Sequence, residues 1–259
     1  VDLSNATQAV KESRFEDAFN LLKVLLKENP DHIDILYLTA VSTRFLKKFD
    51  DSRKHIEHLL FNAPDMGRAY QELGHLNRDI GNEEKSITHY RQACELNPAL
   101  PASWNALHKY FEKLNNKPAA DHALEQIKKL QTLPGQLLFI EQILNEGRLG
   151  LAETKCRAFL KENPTHTYAM SLLAEIANRF GYFDDAEFLL QKAVEFKPKD
   201  GDLRLKYASI LRKKQKFAQT TEQVDILCNQ FPDNLNYRAQ KASDVMQGGD
   251  HAKAITMFD

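Results

Sequence analysis

The histidine pair in His55-Ile56-Glu57-His58 has the spacing closest to a metal site in the chain. Histidines three apart share one face of a helix and offer two imidazole ligands, whereas zinc needs at least one more protein donor. No cysteine or further histidine stands at a suitable local spacing, and His89 repeats the position of His55 one period later. The pair therefore reads as a solvated helix face. Ser4, Asn5 and Thr7 are the residue types that open a helix, and no Ser/His/Asp or Cys/His arrangement accompanies them. The three cysteines, Cys94, Cys156 and Cys228, lie far apart, without the paired spacing of a disulfide framework or a zinc site. They fall on inward helix positions and are expected to be buried thiols. No catalytic residue, no metal and no cofactor is expected in this chain.

Composition narrows the function further. A chain of 259 residues, 42% hydrophobic and 27% charged, has ample apolar material for a core, and disorder is not expected. Lys+Arg 35 against Asp+Glu 36 leaves a net charge of -1. No global basic field exists to gather nucleic acid or anionic lipid. No stretch approaches the ~18 apolar residues of a membrane span. The opening VDLSNATQAVKESRF has neither a charged leader nor an apolar core of signal-peptide length. A cytoplasmic location, with no membrane and no nucleic-acid partner, is the expectation.

The elements that position these residues are set by a ruler of prolines. Pro30, Pro64 and Pro98 are 34 apart, as are Pro164, Pro198 and Pro232, with Pro134 displaced between the two series. Small residues recur on a first helix at Ala6, Ala40, Gly74, Ala174, Ala208 and Ala242. They recur on a second helix at Ala18, Ser52, Ser86, Ala120, Ala152, Ala186, Thr220 and Ala254. These let two antiparallel helices approach closely, while Tyr70, Trp104, Phe139, Leu173 and Tyr207 fill the next layer. Turn signals separate the two helices at Gly81-Asn82, Asn115-Asn116, Gly147-Arg148, Gly181-Tyr182 and Gly249-Asp250.

The period and pattern resemble the tetratricopeptide repeat, most completely in RAYQELGHLNRDIGNEEKSITHYRQACELNP, residues 68–98. The resemblance implies an all-α solenoid, a right-handed superhelix of antiparallel helix pairs. Residues 1–259 divide into seven full repeats, ending near 32, 66, 100, 132, 166, 200 and 234, and a partial eighth. The stretch KKLQTLPGQLLFIEQIL forms an irregular junction near 128–145. The chain stops in GGDHAKAITMFD, with Ala254 in register on a second helix. Terminal repeats normally carry a polar capping helix. Its absence leads to the expectation of a fragment of a longer chain, against the alternative of a frayed natural end. An open apolar edge there would also support a homodimer.

A wider resemblance rests on GRLGLAETKCRAFLKENPTHTYAMSLLAEIANRFGYFDDAEFLLQKAVEFKP and on the segments DLRLKYASILRKKQKF and NLNYRAQKASDVMQGGDHAKAITMFD. These are similar to the N-terminal repeat region of bacterial tetratricopeptide-sulfotransferase fusions. The resemblance implies a C-terminal catalytic domain, beyond residue 259, that transfers sulfate from phosphoadenylyl sulfate through a phosphate-binding loop. Nothing in this chain supplies that loop. Gly81-Asn82-Glu83-Glu84-Lys85-Ser86 imitates it only superficially, because two glutamates repel phosphate and Ser86 is a packing position. The chain itself would be the substrate-positioning arm.

In this repeat family the exposed side of the first helices lines a concave groove. Those positions hold Tyr37, Val41 and Arg44, then Arg68, Gln71, His75 and Arg78, then Asn105 and Lys109. Further along stand Tyr168, Ser171, Glu175 and Asn178, followed by Lys206, Ser209 and Arg212. Arg68, Gln71, His75, Arg78, Asn105 and Lys109 are the candidate peptide-binding residues, suited to holding carboxylates of an extended chain. Glu72, Asp79 and Glu112 are the competing reading, as i,i+4-type pairs that neutralise the cluster. The Lys/Asn/Arg set with which some relatives clamp acidic chaperone tails is not reproduced, and Leu137 and Leu138 stand in its way. The run Leu133, Leu137, Leu138, Phe139, Ile140, Ile143, Leu144 is either a helix buried on several sides or an apolar groove for a partner helix. The expected function is a non-catalytic scaffold that binds a polypeptide in its groove.

Overall fold

A computed structural model describes residues 2–249. Among them are fifteen α-helices and no strand: α1 (Leu3–Lys11), α2 (Phe15–Glu28), α3 (Ile33–Phe45), α4 (Phe49–Asn62), α5 (Gly67–Asp79), α6 (Glu83–Leu96), α7 (Pro101–Lys113), α8 (Lys117–Gln131), α9 (Gly135–Asn145), α10 (Leu149–Glu162), α11 (Thr167–Phe180), α12 (Phe183–Phe196), α13 (Gly201–Lys213), α14 (Phe217–Gln230) and α15 (Leu235–Gln247). Odd-numbered helices open each repeat and even-numbered helices close it. The second helix expected around Ala254 lies outside the described residues.

Two backbone devices repeat along the chain. Between the two helices of each complete pair one residue adopts positive φ, Ser13, Lys47, Gly81, Asn115, Gly147, Gly181 or Gln215, and Gly249 does so after α15. This left-handed residue turns the carbonyls of the finishing helix toward the following amides and stops it within one residue. Between pairs, the residue before proline is extended, with φ of -138° at Asn29, -142° at Ala63, -143° at Asn97 and -130° at Asn163. Proline's ring disfavours helical conformation in its predecessor, which favours ending α2, α4, α6 and α10 at these points. After α8 the proline is displaced. Thr132 keeps αR geometry at φ -75° and α8 runs to fifteen residues, followed by the eleven-residue α9.

The small positions explain how closely the helices pack. A Cβ placed on Gly74 would lie 2.6 Å from the ring of Tyr90, which is fully buried. Two hydroxyls bridge the same gap. Ser86 Oγ donates to the Gly74 carbonyl at 2.9 Å, and Ser52 Oγ donates to the Ala40 carbonyl at 2.9 Å. A larger residue at Gly74 would have to displace the tyrosine.

The chain divides into two compact units, Val1–Leu138 and Phe139–Asp259, with the division inside α9. In the first unit, one apolar cluster joins α3, α4 and α5 through Leu36, Ala40, Ile56, Leu59, Leu73 and Leu76. Another joins α6, α7 and α8 through Tyr90, Cys94, Leu107, Phe111 and Ala120. In the second unit, Ala174, Ala177, Ala186, Leu190 and Ile210 join α11, α12 and α13. Each helix pair thus closes its core only with a neighbour, which is the property of a repeat solenoid. On α9, Leu137, Ile140, Ile143 and Leu144 are buried, while Phe139, expected in the packed layer, is 40% exposed.

No described helix is long and apolar enough to cross a membrane.

Candidate peptide-binding face

The six residues singled out in the sequence lie on α5 and α7 of the first unit. Arg78, Asn105 and Lys109 are exposed, and Arg68, Gln71 and His75 are half-buried. The structure separates them by what holds each side chain. Gln71 Oε1 accepts from Ser103 Oγ at 3.0 Å, tying α5 to α7. Asn105 Nδ2 donates to the Pro101 carbonyl one turn back at 2.7 Å. The Arg68 guanidinium sits 5.0 Å from the centre of the Tyr37 ring on α3. Lys109 is exposed and has no carboxylate partner among the described residues.

His75 turns away from the role expected of it. Its Nδ1 lies 2.6 Å from the Tyr90 hydroxyl, and the two rings meet edge to face. Burial, then the nearby guanidiniums of Arg44 and Arg78, hold its pKa down to about 3. His75 is therefore neutral at physiological pH and belongs to the packing between α5 and α6.

The electrostatic centre of this face was not foreseen. Arg44, read as a groove residue, is only 6% exposed and forms an ion pair through Nε with the buried Glu72. Its NH1 reaches Asp79 at 2.8 Å. Glu72 and Asp79 are thus not partners of cations one turn away. They take a guanidinium from the preceding repeat, because Arg44 faces α5 across the junction of the two first helices. Burial pushes the Glu72 carboxyl up, and the Arg44 charge beside it opposes that shift. Arg78 is the counterpart of Arg44 one period later, but α7 offers it Ala106 and Lys113 at the positions of Glu72 and Asp79. It falls back on the same Asp79, at 2.9 Å and 3.0 Å, so that one carboxylate serves two guanidiniums. Lys113 is taken by Glu83 on α6 at 2.6 Å. Glu112 lies 3.5 Å from His108, four residues earlier.

A sequence signal for such ties exists, at a spacing of 35 and not 34. Arg44 meets Asp79, Lys206 Nζ donates to Ser171 Oγ at 2.8 Å, and Lys213 Nζ donates to Asn178 Oδ1 at 2.7 Å, each across 35 positions. Arg179 NH1 reaches the Leu144 carbonyl at the same separation and 2.9 Å. Of the other groove positions, Val41 and Ser171 are buried, Tyr168 donates to Glu141 at 2.7 Å, and Arg212 is paired with the buried Asp244.

The remaining chemical candidates resolve into packing. His58 Nε2 lies 2.7 Å from Asp31, and His55 is half-buried with its pKa lowered first by burial. Among the described residues no three His, Cys, Asp or Glu side chains are grouped to hold a metal. Cys94 and Cys156 are buried, and desolvation pushes both thiols up to about 12. Cys228 is half-buried.

With the helices, turns and small-residue contacts of α5 and α6 described, the family comparison is direct. The tetratricopeptide repeat model matches residues 67–100. That stretch is a tetratricopeptide repeat. It contains α5, the Gly81 turn, α6 and the closing proline, and the other described helix pairs repeat its left-handed turn residue. Over 212 residues, 79% of its length, the chain is 23% identical to the DnaJ homolog subfamily C member 7 homolog of Dictyostelium discoideum, and it spans 35% of that protein. Among solved structures it is similar to TTC0263, a thermophilic tetratricopeptide repeat protein of Thermus thermophilus. The identity is 22% and the TM-score 0.44, over 81% of this chain and 96% of that one. Yeast Tom70 is 18% identical with a TM-score of 0.45, over 94% of this chain and 54% of that chain.

Proposed function

We propose that the chain is a protein-interaction scaffold whose first unit takes an extended acidic polypeptide along the exposed side of α5 and α7. The observation that carries this reading is a local shortage of carboxylates. One repeat on from Glu72 and Asp79 the register holds Ala106 and Lys113, so the exposed Arg78 shares Asp79 with Arg44, and Lys109 stands exposed without an acidic partner among the described residues. Exposed guanidinium and ammonium groups on successive repeats suit charge-assisted bonds to carboxylates along a chain. Asn105 and Gln71, on the same two helices, are amide donors for a peptide backbone once their present internal bonds exchange.

The test is binding of a fluorescein-labelled octaglutamate peptide, read by anisotropy in low salt. Arg78→Glu with Lys109→Glu is expected to abolish binding while leaving helicity unchanged. Equal affinity in the double variant, or absence of saturable binding to the unmodified chain, would sink the assignment.

The second reading, a substrate-positioning arm for a sulfotransferase, is supported by the sequence resemblance. The reading frame following residue 259 in the parent gene tests it, since a frame without a sulfotransferase domain removes it. Self-association through the last repeat is tested by light scattering at several concentrations, where a constant monomer mass rejects it.

A further inference from the structure

A second surface lies in the other unit, between α10, α11 and α12. There a cavity of about 210 Å³ is lined by the aliphatic Leu173, Ile176, Ala177 and Leu189 and by the aromatic Phe180, Tyr182 and Phe188. The three aromatic side chains are 39%, 59% and 60% exposed. Phe180 and Tyr182 have ring centres 5.7 Å apart, tilted by 31°. Asp185 lines the rim and is exposed, with no partner among the described residues. The remaining charged groups at the rim, Arg157 and Glu153, neutralise each other at 2.8 Å.

Repeat packing does not call for Tyr182 and Phe188. Counted from the left-handed turn residue, the position of Tyr182 holds Arg14, Lys48, Asn82, Asn116, Arg148 and Lys216 in the other pairs. The position of Phe188 holds Asn20, Lys54, Thr88, His122, Thr154 and Glu222. Polar residues occupy these two places in all of those pairs, as expected for solvated positions at the start and on the outer face of a second helix. This pair places two large rings there, around a pocket, beside a carboxylate without a counter-ion among the described residues.

We infer that this cavity is a docking site for a cationic side chain, the lysine ammonium of a partner polypeptide, taken against the aromatic lining of Phe180, Tyr182 and Phe188 with Asp185 as its counter-charge. Aromatic faces carry negative quadrupole charge and attract a cation within about 6 Å of the ring centre. The aliphatic lining accepts the methylene stem of the same side chain. Charge selects this occupant over an aliphatic one: the rim carries one uncompensated negative charge, and the lining includes π surface. The site shares no residue with the acidic-peptide face of the first unit and stands or falls separately.

The probes are three Gly-Ser peptides of one length, carrying lysine, trimethyl-lysine or norleucine at the centre. They are titrated into the full chain while methyl NMR signals of Leu173, Ile176 and Leu189 are followed. The lysine and trimethyl-lysine peptides are expected to give saturable shifts, with the norleucine peptide at least about tenfold weaker. Tyr182→Ala and Phe188→Ala, both at exposed positions, should abolish the shifts with unchanged circular dichroism, and Asp185→Asn should weaken binding of the cationic peptides alone. Equal binding of norleucine would assign the pocket to an aliphatic partner and overturn the inference. The absence of saturable shifts with both cationic peptides, or shifts that survive the aromatic substitutions, would overturn it as well.

Discussion

At the scale of single residues, the decisive variable is whether a polar side chain faces its own repeat, the next one or solvent. His75 shows the consequence for pH. Its imidazole is held neutral beside Tyr90 with a pKa of about 3, whereas an unfolded histidine titrates near 6.5. The unfolded chain therefore binds a proton that the folded chain refuses. The His75 contribution to stability is complete above pH ~6.5 and is lost as pH falls toward 3, at up to about 1.4 kcal/mol per pH unit. Urea midpoints measured between pH 7 and 5 should fall more steeply for the parent chain than for His75→Gln, and parallel curves would show that His75 does not carry the effect. Arg44 makes the opposite point. Arg44→Met removes the guanidinium paired with the buried Glu72 and is expected to cost about 3–5 kcal/mol. Adding Glu72→Leu should recover most of that loss in the same denaturation assay, because an apolar pair of similar volume replaces both charges.

At the scale of helices and turns, every pair is closed by the same left-handed residue, and the chain fills that position unevenly. Gly81, Gly147 and Gly181 suit it, while Ser13, Lys47 and Gln215 hold φ of 59°, 59° and 58° with a Cβ in the way. A side chain in that region costs roughly 1–2 kcal/mol relative to glycine. Lys47→Gly is therefore expected to raise stability by about 1 kcal/mol and Gly181→Ala to lower it by a similar amount, read as shifts in urea midpoint. A loss of stability in Lys47→Gly would mean that its side chain contributes more than the backbone strain removes. These turns also explain why the sequence announces only some of the hairpins: lysine and glutamine carry no turn signal, and only the register from neighbouring repeats places them.

At the scale of the whole molecule, the two compact units and the nearest-neighbour packing imply that damage stays local. Gly74→Val drives a side chain into the Tyr90 ring, and overpacking of this kind costs about 1–3 kcal/mol. Hydrogen exchange should then quicken in α3 to α7 while α11 to α14 keep their protection. A uniform loss of protection along the chain would instead indicate one cooperative block. The sequence by itself determined the helical repeat fold, because the causes are local. Proline dictates where a helix must stop, glycine and asparagine where it can turn, and small residues which faces approach closely. All three recur at a readable period. The same letters placed Arg68, Gln71, His75, Arg78, Asn105 and Lys109 on the first helices of two neighbouring repeats. Only the tertiary structure decided which of them remain exposed. For the half-buried His75 and Gln71 that outcome depends on partners 15 and 32 residues away, Tyr90 and Ser103. A buried charge or a neutral imidazole is created by desolvation and long-range pairing, neither of which a residue's own neighbours in sequence record.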